Sequence, residues 1–192
     1  MSHMLEIIKT WDTQLFVFLN GINSPFFDQL MWWFSGKFFW IPMYLLIIAC
    51  IIYKQRWKAI ITLLFIVFVV TLADQISVHA FKEVFQRLRP CHNPELADVV
   101  HLVNNKCGGK YGFVSSHAAN TFAVAFFLKN LLAKKYFSLF IISWAIIVSY
   151  SRIYLGVHYP LDIVGGALLG IGIGLCVFSL YRYTLEKLAK QI

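Results

Sequence analysis

The chain has 192 residues, of which 59% are hydrophobic and only 14% charged. That is the length of one domain and the composition of a membrane protein rather than a soluble one. A net charge of +8 could suit nucleic acid, but no basic, aromatic-studded soluble module is present for it to act through, so no nucleic-acid partner is expected.

Met1-Ser2-His3-Met4 reads as an added start before a native Met4 and is set aside. Glu6, Lys9 and Asp12 interrupt the apolar pattern that follows, and no small-residue cleavage site appears, so no cleavable signal peptide is expected. In residues 5–35, Trp11, Leu15, Phe16, Phe18 and Leu19 read as one helical face, which predicts an amphipathic helix lying in the membrane interface. Phe26 to Phe34 either does likewise or extends the first span.

Clear apolar segments run from Phe38 to Tyr53, from Ala59 to Ala73 and on as a helix towards Lys82, from Tyr136 to Tyr150, and from Leu161 to Tyr181. A weaker one, His117 to Leu132, carries Asn120, Thr121 and Lys129. A helix from Ser116 to Ala133 still reaches ~27 Å at about 1.5 Å per residue, nearly the hydrocarbon thickness. The expectation is an all-α, polytopic transmembrane bundle of five spans, with six as the alternative. Its regions are 5–35 at the interface, 36–185 as the membrane domain and 186–192 as a cytoplasmic tail.

With five spans, Lys54, Arg56, Lys58, Lys129, Lys134, Lys135, Arg182, Lys187 and Lys190 share one side with a single acid, Glu186. Excess cation marks the cytoplasmic side. The opposite side, where the motifs below fall, then faces outward. Cys50 and Cys176 lie within spans, while Cys91 and Cys107 bracket an outward loop. An oxidising compartment lets that pair bridge, closing a loop of a size that contributes ~3 kcal/mol in the chain-entropy picture. A zinc site from Cys91, His92, His101 and Cys107 is the lesser alternative, since the spacing fits no common zinc pattern.

Lys82 and Arg89 are seven apart, which on a continuous helix returns them to one face, with Pro90 ending that helix. Both then point at one anion, or snorkel separately to the headgroups. Ser115 and Ser116 precede His117 at a helix start, where unpaired amides make an anion site; Ser115 is alternatively a plain N-cap. His117 can donate a proton to a leaving oxygen, or is simply an interfacial histidine bound to water. His158 and Asp162 are four apart, so the carboxylate can hold one ring nitrogen and free the other as a nucleophile. Arg152 adds a cation, or simply pairs with Asp162. The same spacing runs on through Gly166, Gly170 and Gly174, a small-residue row for deep packing or for a homodimer. Asp74 reads as a supporting carboxylate, paired with a motif cation or sharing a polar seam with Gln75 and Ser77.

The order Lys82-x6-Arg89-Pro90, then Ser115-x-His117, then Ser151-Arg152-x5-His158-x3-Asp162 resembles the phosphatidic acid phosphatase type 2 family of membrane lipid phosphatases, over about residues 25 to 185. The resemblance implies a metal-independent, cofactor-free phosphatase in which His158 attacks phosphorus, Asp162 orients it and His117 protonates the leaving group. Lys82, Arg89, Ser115, Ser116 and Arg152 would hold the phosphoryl oxygens. It implies a bacterial inner-membrane enzyme with its site facing the periplasm or cell exterior, acting on undecaprenyl diphosphate, phosphatidylglycerophosphate, phosphatidic acid or a lipid A phosphate. The short chain, with no added headgroup-recognition domain, leans the choice towards a polyprenyl diphosphate or broad specificity. The family usually has Pro and Gly where this chain has Val114 and Ser116, which bears on substrate preference. A non-catalytic lipid-phosphate binder or scramblase is the alternative; it would keep the cations but need neither His158 nor Asp162.

Overall fold

The computed structural model describes residues 2–190. Helix α1 spans Ser2–Gly21 and α2 spans Pro25–Ser35, the latter started by Ser24 as N-cap with Pro25 in the first turn, where its missing N–H matters least. A 3-10 turn at Phe38–Trp40 leads into α3, Ile41–Gln55. The chain turns at Arg56, φ +50°, into α4, Ala59–Gln75. That helix runs without a break into a π-helical stretch, Ile76–Lys82, and ends in α5, Glu83–Phe85. An irregular loop then leads to α6, Ser116–Leu132, α7, Lys135–Tyr154, and α8, Pro160–Ala189. The one β feature among the described residues is an isolated bridge between Leu88 and Tyr111.

The core lies where α4, α6, α7 and α8 meet. Gly166, Gly170 and Gly174 turn one row of α8 against α6: a Cβ on these glycines would stand 2.5, 2.3 and 2.5 Å from the carbonyl oxygens of Ser115, Ala119 and Ala123. Because the paired positions rise together, α6 and α8 run parallel, in backbone contact only small residues allow. The row therefore packs against α6 within the chain, the deep-packing use of its spacing. Contacts Thr62 to Tyr181 at one end, 2.9 Å, and Ser77 to Ser116 at the other, 2.6 Å, set α4 antiparallel to both. The result gathers the end of α4, the start of α6, the end of α7 and the start of α8 at one end of the bundle.

The outward surfaces are apolar. Leu46 on α3, Leu64 on α4, Leu139 on α7 and Leu168 on α8 are all well exposed. Phe38–Phe85, Lys135–Tyr154 and Pro160–Ala189 are long and apolar enough to cross a bilayer, and the first of these contains both α3 and α4. The less apolar α6 is flanked by helices instead of lipid: Ala118, Ala119, Ala123, Ala125, Phe127 and Leu128 are all buried. Protein neighbours, not lipid, set what its surface can carry.

Helix α1 departs from the expected pattern. Trp11, Leu15 and Phe18 are exposed, whereas Phe16 is fully buried, so these residues do not share a face. The inward face is Asp12, Phe16 and Asn20, spaced by four and all buried. Asn20 alone reaches the carbonyls of His101, Ile153 and Tyr154, at 3.0, 3.2 and 2.8 Å, and accepts from the His101 N–H at 2.8 Å.

Candidate active site

The π-helical stretch carries Lys82 to the site. One extra residue in the turn shifts the helical register, and Lys82 Nζ donates to Ser116 Oγ at 2.5 Å. The helix does not continue to Arg89, contrary to the sequence expectation. It ends at Phe85, because Gln86 takes a left-handed conformation, φ +46°, and Pro90 instead starts a short 3-10 turn, Pro90–His92. Arg89 is brought in by the loop: its N–H donates to the Lys110 carbonyl at 3.2 Å. Its guanidinium reaches the Tyr111 and Cys107 carbonyls at 3.3 and 3.4 Å. Cys91 and Cys107 lie paired beside it, Cα atoms 5.9 Å apart. His101 turns away from them to Asp28, Nε2 to Oδ1 2.8 Å, so the four-residue zinc grouping does not assemble.

Ser115 begins α6 with no cap bond from its side chain, so the N-cap role is not taken up. Its hydroxyl is buried and unpartnered, as is Arg152 Nε at the end of α7. A buried donor is expensive to leave unpaired, and both belong to residues that the sequence resemblance expects to bind phosphate. Arg152 does not pair with Asp162; its Nη1 donates to Ser35 of α2. Ser116 joins Ser77 at 2.6 Å, and Asp74 accepts from Asn120 at 3.4 Å. Asp74 thus belongs to a polar seam between α4 and α6. His117 follows on the first turn of α6, partly buried, within electrostatic reach of Arg152, His158, Lys82 and Arg89.

His158 and Asp162 do not stack on one helix, because α8 starts at Pro160. Asp162 sits in its first turn and Oδ2 accepts from the Tyr159 N–H at 3.0 Å, while His158, in the preceding turn, brings Nδ1 to 3.4 Å from the same oxygen. One carboxylate therefore caps the helix and orients the ring. With the Nδ1 proton directed there, Nε2 is left free. A Cβ on Gly112 would lie 3.0 Å from Asp162 Oδ2 and 3.5 Å from His158 Nδ1, so glycine lets the loop close over the pair. Complete burial, then the nearby Arg89 and Arg152, hold the His158 ring well below its ordinary pKa of 6.5. It is a neutral base at pH 7.

Two residues escaped the sequence reading. Arg87 donates to Asp162 Oδ1 at 2.9 Å and to Asp12 Oδ2 at 2.6 Å. In the sequence Asp12 is only a break in an apolar pattern. An acid inside an oily helix is itself a signal, and its partner lay within the first motif. The gathered set is an anion cradle beside a buried, carboxylate-held imidazole, fit for phosphoryl transfer.

A family model described as the PAP2 superfamily matches residues 63–186. The chain is 45% identical over 170 residues to a protein of Bacteroides thetaiotaomicron named lipid A 4'-phosphatase, covering 87% of this chain and 75% of that one. It is 35% identical over 188 residues to a protein of the same name from Porphyromonas gingivalis, covering 97% and 78%. The fold is similar to that of a PAP2-type phosphatidylglycerolphosphate phosphatase of Bacillus subtilis solved by crystallography, with TM-score 0.67, 24% identity, and coverage of 94% of this chain and 87% of that one.

Proposed function

The chain belongs to the PAP2 superfamily, and from that premise we propose that it is a membrane phosphatase removing a terminal phosphate from a lipid through a phosphohistidine. The observation that carries this is the buried His158–Asp162 pair, which a lipid-phosphate binder or scramblase does not need. His158 Nε2 bonds to phosphorus as the phosphorus–oxygen bond to the lipid breaks, and His117 gives its proton to the departing oxygen. His117 then takes a proton from water, which attacks phosphorus and breaks the phosphorus–nitrogen bond. Lys82, Arg89, Arg152, the Ser115 hydroxyl and the Ser116 amide hold the three phosphoryl oxygens, whose spread charge is what such a cradle stabilises.

The substrate proposed first is a lipid A phosphate, since the relatives at 45% and 35% identity both bear the name lipid A 4'-phosphatase. It ranks above the polyprenyl diphosphate towards which chain length leaned. Five spans in the bacterial inner membrane, α1 and α2 at the interface, and a site open to the periplasm complete the reading. The test is phosphate release by the detergent-solubilised protein in EDTA, over lipid A, undecaprenyl diphosphate, phosphatidylglycerophosphate and phosphatidic acid, beside His158→Ala. Release that the variant lacks supports the mechanism, and the fastest substrate names the lipid. Release indifferent to His158 refutes it.

A further inference from the structure

The two oxygens of Asp162 face different partners. Oδ2 serves His158 and the Tyr159 N–H, whereas Oδ1 accepts from Arg87 Nη1 at 2.9 Å. The other amine of Arg87, Nη2, donates to Asp12 Oδ2 at 2.6 Å. Asp12 Oδ1 in turn accepts from the Leu161 N–H at 2.8 Å, in the first turn of α8. The Arg87 guanidinium lies over the Tyr159 ring, 4.1 Å from its centroid, and Phe16 meets the same ring edge-on at 5.4 Å. Asp12 is 4% exposed and Asp162 0%. Neither carboxylate can be this deeply buried as an anion without the cation between them.

We propose that Asp12 of α1, acting through Arg87, is a positioning residue for the catalytic pair, so that the N-terminal helix is part of the active site. Arg87 fixes the free edge of the Asp162 carboxylate and thereby aims the other edge at His158. Asp12 fixes Arg87 in rotation and ties it to the backbone that carries Asp162. Asp12 also balances the Arg87 charge, so that Asp162 keeps enough negative charge for the imidazole. The charged or titratable groups facing His158 and Asp162 are Lys82, Arg87, Arg89 and Tyr159 from the loops and α4, His117 from α6, Arg152 from α7 and Asp12 from α1. The proposal rests on the His158–Asp162 mechanism above.

The experiment is lipid-phosphate release by Asp12→Asn, Arg87→Gln and the double variant, each purified in detergent and resolved into kcat, KM and a pH profile, with His158→Ala alongside. Loss of a charge-assisted contact of this kind lowers kcat by about tenfold or more while KM moves by less than about threefold. The acid limb of the kcat profile moves to lower pH in Asp12→Asn, which adds net positive charge beside His158, and to higher pH in Arg87→Gln, which removes it. The double variant regains part of the lost kcat, because a neutral pair leaves no unbalanced buried charge. A merely structural contact moves neither limb. Unchanged kcat in Asp12→Asn, or limbs that move together, overturns the proposal while leaving the mechanism intact. Undiminished release by His158→Ala would instead remove the mechanism and the proposal with it. If neither Asp12→Asn nor the charge-keeping Asp12→Glu yields folded protein, Asp12 is a structural clamp and the proposal is overturned.

Discussion

Arg89 and Ser116 show how much the identity of a single side chain decides at this site. The planar fork of Arg89 is braced by the Tyr111 and Cys107 carbonyls, so Arg89→Lys keeps a charge but loses both the bracing and the two-pronged grip on an anion. The expected result is a loss of kcat/KM of about tenfold to a hundredfold, if one charged hydrogen bond of roughly 1.5–3 kcal/mol is forfeited. Ser116 occupies one donor of Lys82 and is held by Ser77. Ser116→Gly should leave release active and tighten inhibition by vanadate or inorganic phosphate a few-fold, as Lys82 turns to the anion. Unaltered inhibition would mean that another of the three ammonium donors already reaches the phosphoryl group.

His158 also sets a pH dependence. Its folded pKa lies below the unfolded value of about 6.5, so the folded state prefers the neutral ring. Above pH 6.5 the ring is neutral in both states and contributes nothing to the pH slope. As pH falls below 6.5 the unfolded chain takes the proton first, and stability is lost down to the folded pKa. The thermal midpoint should therefore drop between pH 6.5 and 5, and drop less in His158→Ala. Equal slopes in the two proteins would show that burial does not hold the ring below its ordinary pKa.

At the level of elements, α6 against α8 is the contact that shapes the bundle. The Ala119 carbonyl would stand 2.3 Å from a Cβ at Gly170, so Gly170→Ala must push two helix backbones apart. Overpacking of this kind costs about 1–3 kcal/mol, or more where backbone must move. The variant should lower the thermal midpoint and also activity, because Ser115 and Asp162 are joined across the same interface, Ser115 N–H to the Asp162 carbonyl, 2.9 Å. Gly172, by contrast, has open space at its Cβ, and Gly172→Ala should leave both unchanged. The π-helical Ile76–Lys82 is another element-scale device that no hydropathy pattern announces: the residues around it are as apolar as in an α-helix, and the register shift emerges only where Ser77 and Lys82 both meet Ser116.

Across the whole molecule, polarity is arranged end to end. The ends of α3, α6 and α8 carry Lys54, Lys129 and Lys187, while the site residues lie at the other end. The topology reading predicts that, in a background lacking Cys50 and Cys176, a cysteine at exposed Asp98 is labelled by a membrane-impermeant thiol reagent in intact spheroplasts and one at exposed Lys134 only after lysis. The reverse pattern would invert the orientation.

The chain alone determined the helical class, the membrane setting and the family, because apolar runs and charges that are costly near lipid are both written residue by residue. It did not determine how the motif residues meet. The expectation that Lys82 and Arg89 share a helix, and that His158 and Asp162 stack on one, treated spacing as if the helix were unbroken; Gln86 and Pro160 break it, and the loop closes the distance instead. Nor did it single out Asp12 or Arg87, or show that the glycine row is spent on α6. These depend on contacts between residues as far apart as Asp12 and Leu161, which local periodicity does not encode, and which form only when the assembled bundle removes the alternatives of water and lipid.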